Sequence, residues 1–419
     1  MRTLLLILTL TAFCFTPQLS SAEELVSIRL ANYIGETREL DVYLTGNYLS
    51  TDPSIRLIEG VKYHLTSQQD SLRLEGNGII QEFKTPLVLY PEQYDTHHVI
   101  RINRRPYLGA MEFRLVDTGP IQPVNHIPLE DYLKGVVPYE VYPTWGLETL
   151  KAQALAARTY AAAHAKKEMD DTISYQVYGG YTWYPQTTKA VEETRGEVIT
   201  YRNRLIEAFY SASNGGMTES NAHVWGGNSI SYYPIKRDPF DPVHPWEFEL
   251  EQLQISLEEI DWDQTDWWES IVEKDENITA TMKKWLYRKG YLGDLKILSI
   301  PRFELSEHRY ASQRATKGSI EIEFLRRLLD GTVLFETVSL TDVPLSHIRP
   351  LIGGNRFKSY LIDSLTLDKG TYSMKGKGYG HGVGMSQWGA HYMGLQGKTY
   401  RDILQFYFPG TQITSMSLP

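Results

Sequence analysis

Glu140 stands in an apolar and aromatic setting. Val136, Val137 and Tyr139 precede it, Val141, Tyr142 and Trp145 follow, and Glu130, Asp131 and Lys134 lie upstream. Such neighbours withdraw water from a carboxyl group and raise its pKa, because the charged form loses more solvation than the neutral one. A carboxylic acid still protonated near neutrality can donate to a leaving oxygen and, once ionised, take a proton back, which is what breaking a glycosidic bond requires. A lone glutamate in a loop is equally read as solvated surface, since charges are seldom buried. Hydrolysis of such a bond would need a second carboxylate, for which Glu130, Asp131 and Glu148 are the candidates.

Two further stretches are unusual. One runs Phe209-Tyr210-Ser211-Ala212-Ser213-Asn214-Gly215-Gly216-Met217-Thr218-Glu219-Ser220 and is followed by Val224-Trp225-Gly226. Its Ser213, Asn214, Gly215 and Gly216 read as a polar glycine turn. The other places glycine at 376, 378, 380, 382 and 384, around Tyr379, His381 and Val383, and continues into Gln387 and Trp388. Each glycine weakens a strand, so this alternation points to a close approach of backbone or ligand. His381 can be a metal ligand, an acid/base or a hydrogen-bonded structural group, and His223, His244 and His391 show no ligand spacing with it. Trp388 can stack on a sugar ring or fill the core, and Gln387 can bond acetamido or hydroxyl groups. Arg158, a charge among alanines, is either one half of a structural ion pair or a planar, bidentate anchor for Glu140 or for a substrate group.

The elements that must hold these groups follow from pattern. Residues 26–116 alternate apolar and polar side chains, as in Val42-Tyr43-Leu44 and Leu72-Arg73-Leu74, with glycine breaks at 46, 60, 76 and 78, which predicts mostly antiparallel strands. Residues 147–169 lack Gly and Pro and are rich in Ala, predicting a buried central helix with Thr144 as cap and Glu148 in the first turn. Residues 247–292 hold Trp262, Trp267, Trp268 and Trp285 and read as a helical insertion, with helical spacing over 282–291. Strands return at 295–300 and 320–324, and Thr399 with Asp402 caps a last helix before Pro409-Gly410. The fold class is α+β: a strand-rich, mostly antiparallel N-terminal lobe packed on an α/β lobe with one long Ala-rich helix and the cleft between them. The divisions are 1–22, 23–125, 126–246, 247–294 and 295–419.

Bulk properties narrow the function. At 419 residues, 42% hydrophobic and 22% charged, the chain has room for two domains and the composition of a folded protein. Residues 1–22 carry Arg2, an apolar run and Ser20-Ser21-Ala22, the pattern of a secretory signal; the run is shorter than the roughly 20 residues that span a bilayer. Left uncleaved, it would be a membrane anchor. Cys14, the only cysteine, lies within it, so a cleaved chain would have no disulfide and no thiolate metal site. A net charge of −9 without a basic block argues against nucleic acid as the partner.

In order and separation, the segments around Glu140, Ser213 and His381 resemble the SpoIID/LytB family of cell-wall proteins. The resemblance runs from Val26 to Pro409-Gly410-Thr411, with the Trp-rich stretch as the main part lacking a counterpart. It implies a secreted lytic transglycosylase that cuts peptidoglycan strands between N-acetylmuramic acid and N-acetylglucosamine without adding water, after an amidase has removed stem peptides, in wall remodelling or sporulation. The family's catalytic glutamate falls on Glu140, and the polar turn Ser213, Asn214 and Gly215 would border the cleft. Arg158, His381, Gln387 and Trp388 are the other expected cleft residues. Some relatives bind zinc through a histidine and a cysteine; here Ser211 stands where the histidine often does, so no metal and no cofactor is expected. The family name also covers a non-catalytic wall-binding activator of an amidase, which is the alternative reading. A structural envelope protein that docks a partner through Trp262, Trp267 and Trp268 is a third.

Overall fold

The structure, a computed structural model, describes residues 24–83, 86–116, 119–262, 264 and 266–416. The signal-like segment with Cys14 lies outside them. Among the described residues no helix is long and apolar enough to cross a membrane.

The alternating N-terminal segments form two six-stranded sheets. One has the order Met169–Asp170, Leu25–Arg29, Ile121–Pro128, Ala110–Leu115, Leu87–Pro91, Tyr48–Ser50. The other has the order Ile79–Phe83, Ser71–Gly76, Lys62–Gln68, Glu39–Thr45, Val99–Ile102, Arg105–Tyr107. All pairings are antiparallel except that of Leu25–Arg29 with Met169–Asp170. Val42, Leu44, Leu65, Leu72, Leu74 and Phe113 point into one shared core, as the two-residue period requires.

Two helices carry this core toward the rest of the chain. Helix α1 is Leu129–Glu140 and helix α2 is Leu147–His164. Helix α2 is buried from Ala152 to Ala161. Ala154, Ala157 and Ala161 join the N-terminal core, while Ala152, Leu155, Ala156 and Tyr160 join a second core built with Val383, Met385, Ile403 and Phe408. Alanine on both faces lets these layers approach closely. Three expectations are corrected here. The cap of α2 is Gly146 rather than Thr144, and the helix stops at His164, so that Met169 belongs to a strand. Glu140 ends a helix instead of lying in a loop.

Within the stretch read as a helical insertion, Pro245–Glu251 is a strand paired with Thr371–Lys377, and the helix proper is Glu276–Arg288. Asp294–Leu305, Lys317–Arg327 and Val333–Pro344 form an antiparallel meander whose core includes Ile297, Phe324 and Leu351. Trp268 is buried, Trp267 partly buried and Trp262 exposed, so the three do not make one open patch and the docking reading loses its motivation. The last helix, Tyr400–Tyr407, has the expected capping box of Thr399 and Asp402.

Candidate functional site

Helix α1 places Glu140 at its last turn, where Pro138 supplies no N–H and the chain leaves in an extended conformation at Val141. The carboxyl is partly buried and lines a cavity of about 720 Å3. The Val177 N–H donates to Oε1 at 2.7 Å, and the Gln387 amide lies 3.4 Å from Oε2. Burial pushes its pKa up to about 7, against the lowering effect of those two hydrogen bonds. Oε1 is thus held by main chain, and Oε2 is left to carry the proton.

The second and third unusual segments are stitched together beside it. Tyr210–Ser211 pairs in parallel with Met385–Ser386, and bridges join Ser213 to Tyr379 and Glu219 to Val383. The glycines make this crossing feasible. Gly384 has φ +74°, and a Cβ there would lie 2.0 Å from the Phe209 carbonyl oxygen. Gly397 has a similar φ of +80° but open space around it. Gly384→Ala is therefore expected to cost about 2–4 kcal/mol and Gly397→Ala only about 1 kcal/mol, read from urea denaturation midpoints. Equal costs would mean that backbone conformation alone, not the close crossing, demands glycine at 384.

His381, Gln387 and Glu140 line the same cavity, together with Tyr175, Tyr210, Trp225 and Tyr379. The Nδ1 of His381 accepts from the Val383 N–H at 3.0 Å. Burial, aided by the charges of Arg314 and Arg349, pushes its pKa down to about 4, so the ring is neutral near pH 7. Ser211 accepts the Gly382 N–H at 3.2 Å through its hydroxyl. Among the described residues no group of three His, Cys, Asp or Glu side chains could hold a metal ion.

Four expected cleft residues lie elsewhere. Arg158 is fully buried and makes a two-pronged ion pair with Glu130, both contacts at 2.8 Å, with further donations to Thr194 and to the carbonyls of Val191 and Glu197. It ties α2 to α1 and to the chain beyond, as the ion-pair reading had it. Ser213 and Asn214 are buried, donating to Asp241 and Asp238, and Gly215 lines a separate cavity. That turn is held by internal carboxylates and supports the crossing from behind.

Trp388 does not itself line the cavity, although its main-chain N–H donates to the carbonyl of Ala212, which does. It meets Trp145 at 5.0 Å, Tyr142 at 6.0 Å and His244 at 4.7 Å between ring centres, while His391 stacks on Trp145 at 4.4 Å. Tyr142 and Tyr392 are exposed, and burial lowers the pKa of His244 and His391, so this aromatic shelf carries little positive charge. It adjoins Gln387 in sequence and meets α1 just past Glu140.

Sequence reasoning missed the other wall. Glu219 is the second carboxylate lining the cavity, but its oxygens are occupied: Oε1 accepts from Ser220 N–H and lies 2.8 Å from His223, while Oε2 accepts from Ser312 and lies 3.9 Å from Arg314. Tyr310, Arg314 and Arg349 also line the cavity. Glu219 sat inside a segment already singled out; the arginines had no local signal. Glu130, Asp131 and Glu148, the other expected carboxylates, do not line the cavity.

Residues 117–201 match the family described as Stage II sporulation protein (SpoIID). The chain is 37% identical over 388 residues to the amidase enhancer of Bacillus subtilis (strain 168), covering 92% of this chain but 54% of that protein. It therefore spans about half the length of that relative. It is also 28% identical over 328 residues to stage II sporulation protein D of the same organism, covering 70% of this chain and 76% of that protein. An uncharacterized protein of Brachyspira hyodysenteriae is 29% identical over 330 residues, covering 76% of this chain and 75% of that protein.

Proposed function

The chain belongs to the SpoIID/LytB family, and from that premise we propose that it is an exported peptidoglycan lytic transglycosylase with Glu140 as its acid and base. The observation that carries this reading is a carboxyl raised to about 7 in a large cavity whose other carboxylate is fully engaged. The protonated Oε2 donates to the oxygen linking muramic acid to the next sugar as the anomeric C–O bond breaks. The resulting carboxylate then removes the proton from the muramic acid 6-hydroxyl, whose oxygen bonds to the anomeric carbon. No water is consumed, and Glu140 regains its proton. Hydrolysis would need a second carboxylate free to activate water, and Glu219 has no free oxygen for that. The aromatic shelf around Trp388 suits an uncharged sugar ring.

The test is product analysis. The protein is incubated with intact and with peptide-stripped glycan strands, and products are weighed by mass spectrometry. Ends in 1,6-anhydro-muramic acid are expected; reducing ends would mean hydrolysis. A second reading is favoured by the similarity to an amidase enhancer over 92% of the chain. In it the cleft binds glycan and the protein stimulates a wall amidase without cutting. Strand binding with no cleavage of either substrate, together with faster stem-peptide release when an amidase is added, would establish that alternative.

A further inference from the structure

The cavity wall contributed by residues 310–316 and 344–360 is cationic and incompletely neutralised. Arg349 is held by main chain: its Nε donates to the Phe357 carbonyl at 2.6 Å and its Nη2 to the Lys358 carbonyl at 3.2 Å. It lies beside the Tyr360 hydroxyl and has no carboxylate within ion-pair distance among the described residues. Arg314 is only 3% exposed and donates through Nη2 to the carbonyls of Asn214 and Met217, yet its Nε is buried with no acceptor among the described residues. The one carboxylate on this side, Glu219, is already met by Arg314, His223 and Ser312. Both guanidinium charges act on His381. A fixed arginine with donors to spare is pre-oriented for a planar anion, so little ordering remains to be done on binding.

A neutral polysaccharide offers such a wall nothing. We propose that Arg349, with the Tyr360 hydroxyl beside it and the buried charge of Arg314 behind, forms a carboxylate-binding subsite that reads the free lactyl carboxylate of the muramic acid residue in the cavity. This rests on the glycan reading above. It also sets the register of the strand: the acidic sugar, not N-acetylglucosamine, takes the place between Arg349 and Glu140. A lactyl group still joined to peptide presents a neutral amide at the same point, so the wall recognises charge rather than mere absence of bulk.

Binding separates the two ideas. The full chain carrying Glu140→Gln, which retains the cavity without the acid, is titrated by calorimetry with a peptide-free alternating tetrasaccharide, with the same sugar whose lactyl carboxylates are capped as methyl amides, and with chitotetraose. The free acid is expected to bind about tenfold more tightly than the capped sugar. In a Glu140→Gln, Arg349→Gln protein the gap should fall below about twofold. Salt gives a check that needs no second variant: raising it from about 50 to about 500 mM should weaken the free acid and leave the capped sugar unchanged. Equal affinities for acid and capped sugar, or a gap that survives Arg349→Gln, would overturn the subsite while leaving the glycan reading intact. Failure of all three sugars to bind would overturn both.

Discussion

Glu140→Gln is expected to slow glycan cleavage by about a thousandfold, within the range a positioned acid supplies, while strand binding changes by less than about twofold. The amide is isosteric, so the Val177 N–H keeps its acceptor, while Gln387 turns its own oxygen toward the new amide. In the parent, cleavage should fall about tenfold per pH unit above about 7, where the carboxyl ionises before it can donate. The same group marks stability. Below its ordinary value of 4.5 both folded and unfolded chains hold the proton; between 4.5 and about 7 only the folded chain does. Folding stability contributed by this group is therefore present at low pH, declines as pH rises across that window and is constant above it. The loss, about 1–3 kcal/mol with the cavity's access to solvent considered, should be missing from Glu140→Gln. Urea denaturation of both proteins from pH 4 to 8 measures it. Parallel curves would mean that the carboxyl is not desolvated and would remove the main support for its role.

Arg158→Met should cost about 3–5 kcal/mol, because it leaves Glu130 charged, buried and without its partner. Replacing both residues by Met should recover at least half of that loss, since two apolar side chains of similar volume restore packing and no charge remains. Urea midpoints of the two single variants and the double variant decide it. Glycan cleavage per folded molecule should be unchanged in the double variant. A large fall in turnover with normal stability would revive the anchoring role that its full burial outside the cavity lining argues against.

What could be read beforehand was what depends on local period and on motif. The strands of residues 26–116 and the alanine helix follow from side-chain alternation and composition, and the capping box at Thr399 needs only residues three apart. The end of α2 was misplaced because helix propensity persists past His164, whereas Met169 is claimed by the edge of a sheet that begins at Leu25. Helix α1 was missed because Pro138 and Gly135 look like breakers; Pro138 does forgo the bond to the Lys134 carbonyl, a loss confined to the last turn, and Gly135 is required where a Cβ would strike Gly180 and Tyr178. At the site, Glu140, His381 and Gln387 converge as their motifs implied. Ser213 and Asn214 belong to the scaffold instead, because Asp238 and Asp241, some 25 residues downstream, claim their hydrogen bonds. Arg314 and Arg349 were invisible, since nothing near either residue in sequence marks a wall that only tertiary folding assembles.

The parallel pairing of Tyr210–Ser211 with Met385–Ser386 has a consequence for timing. Pairings this distant in sequence form late, because a long loop must close before any contact offsets its entropy. The acid arrives early in a chain made from its N-terminus, but Arg314, Arg349, Gln387, Trp388 and Tyr392 all come from the chain beyond residue 310. A nascent or prematurely ended chain would hold Glu140 on a stable helix with no cleft around it. The close glycine crossing therefore acts as a latch on assembly: the cavity around Glu140 is complete only after the whole domain has closed.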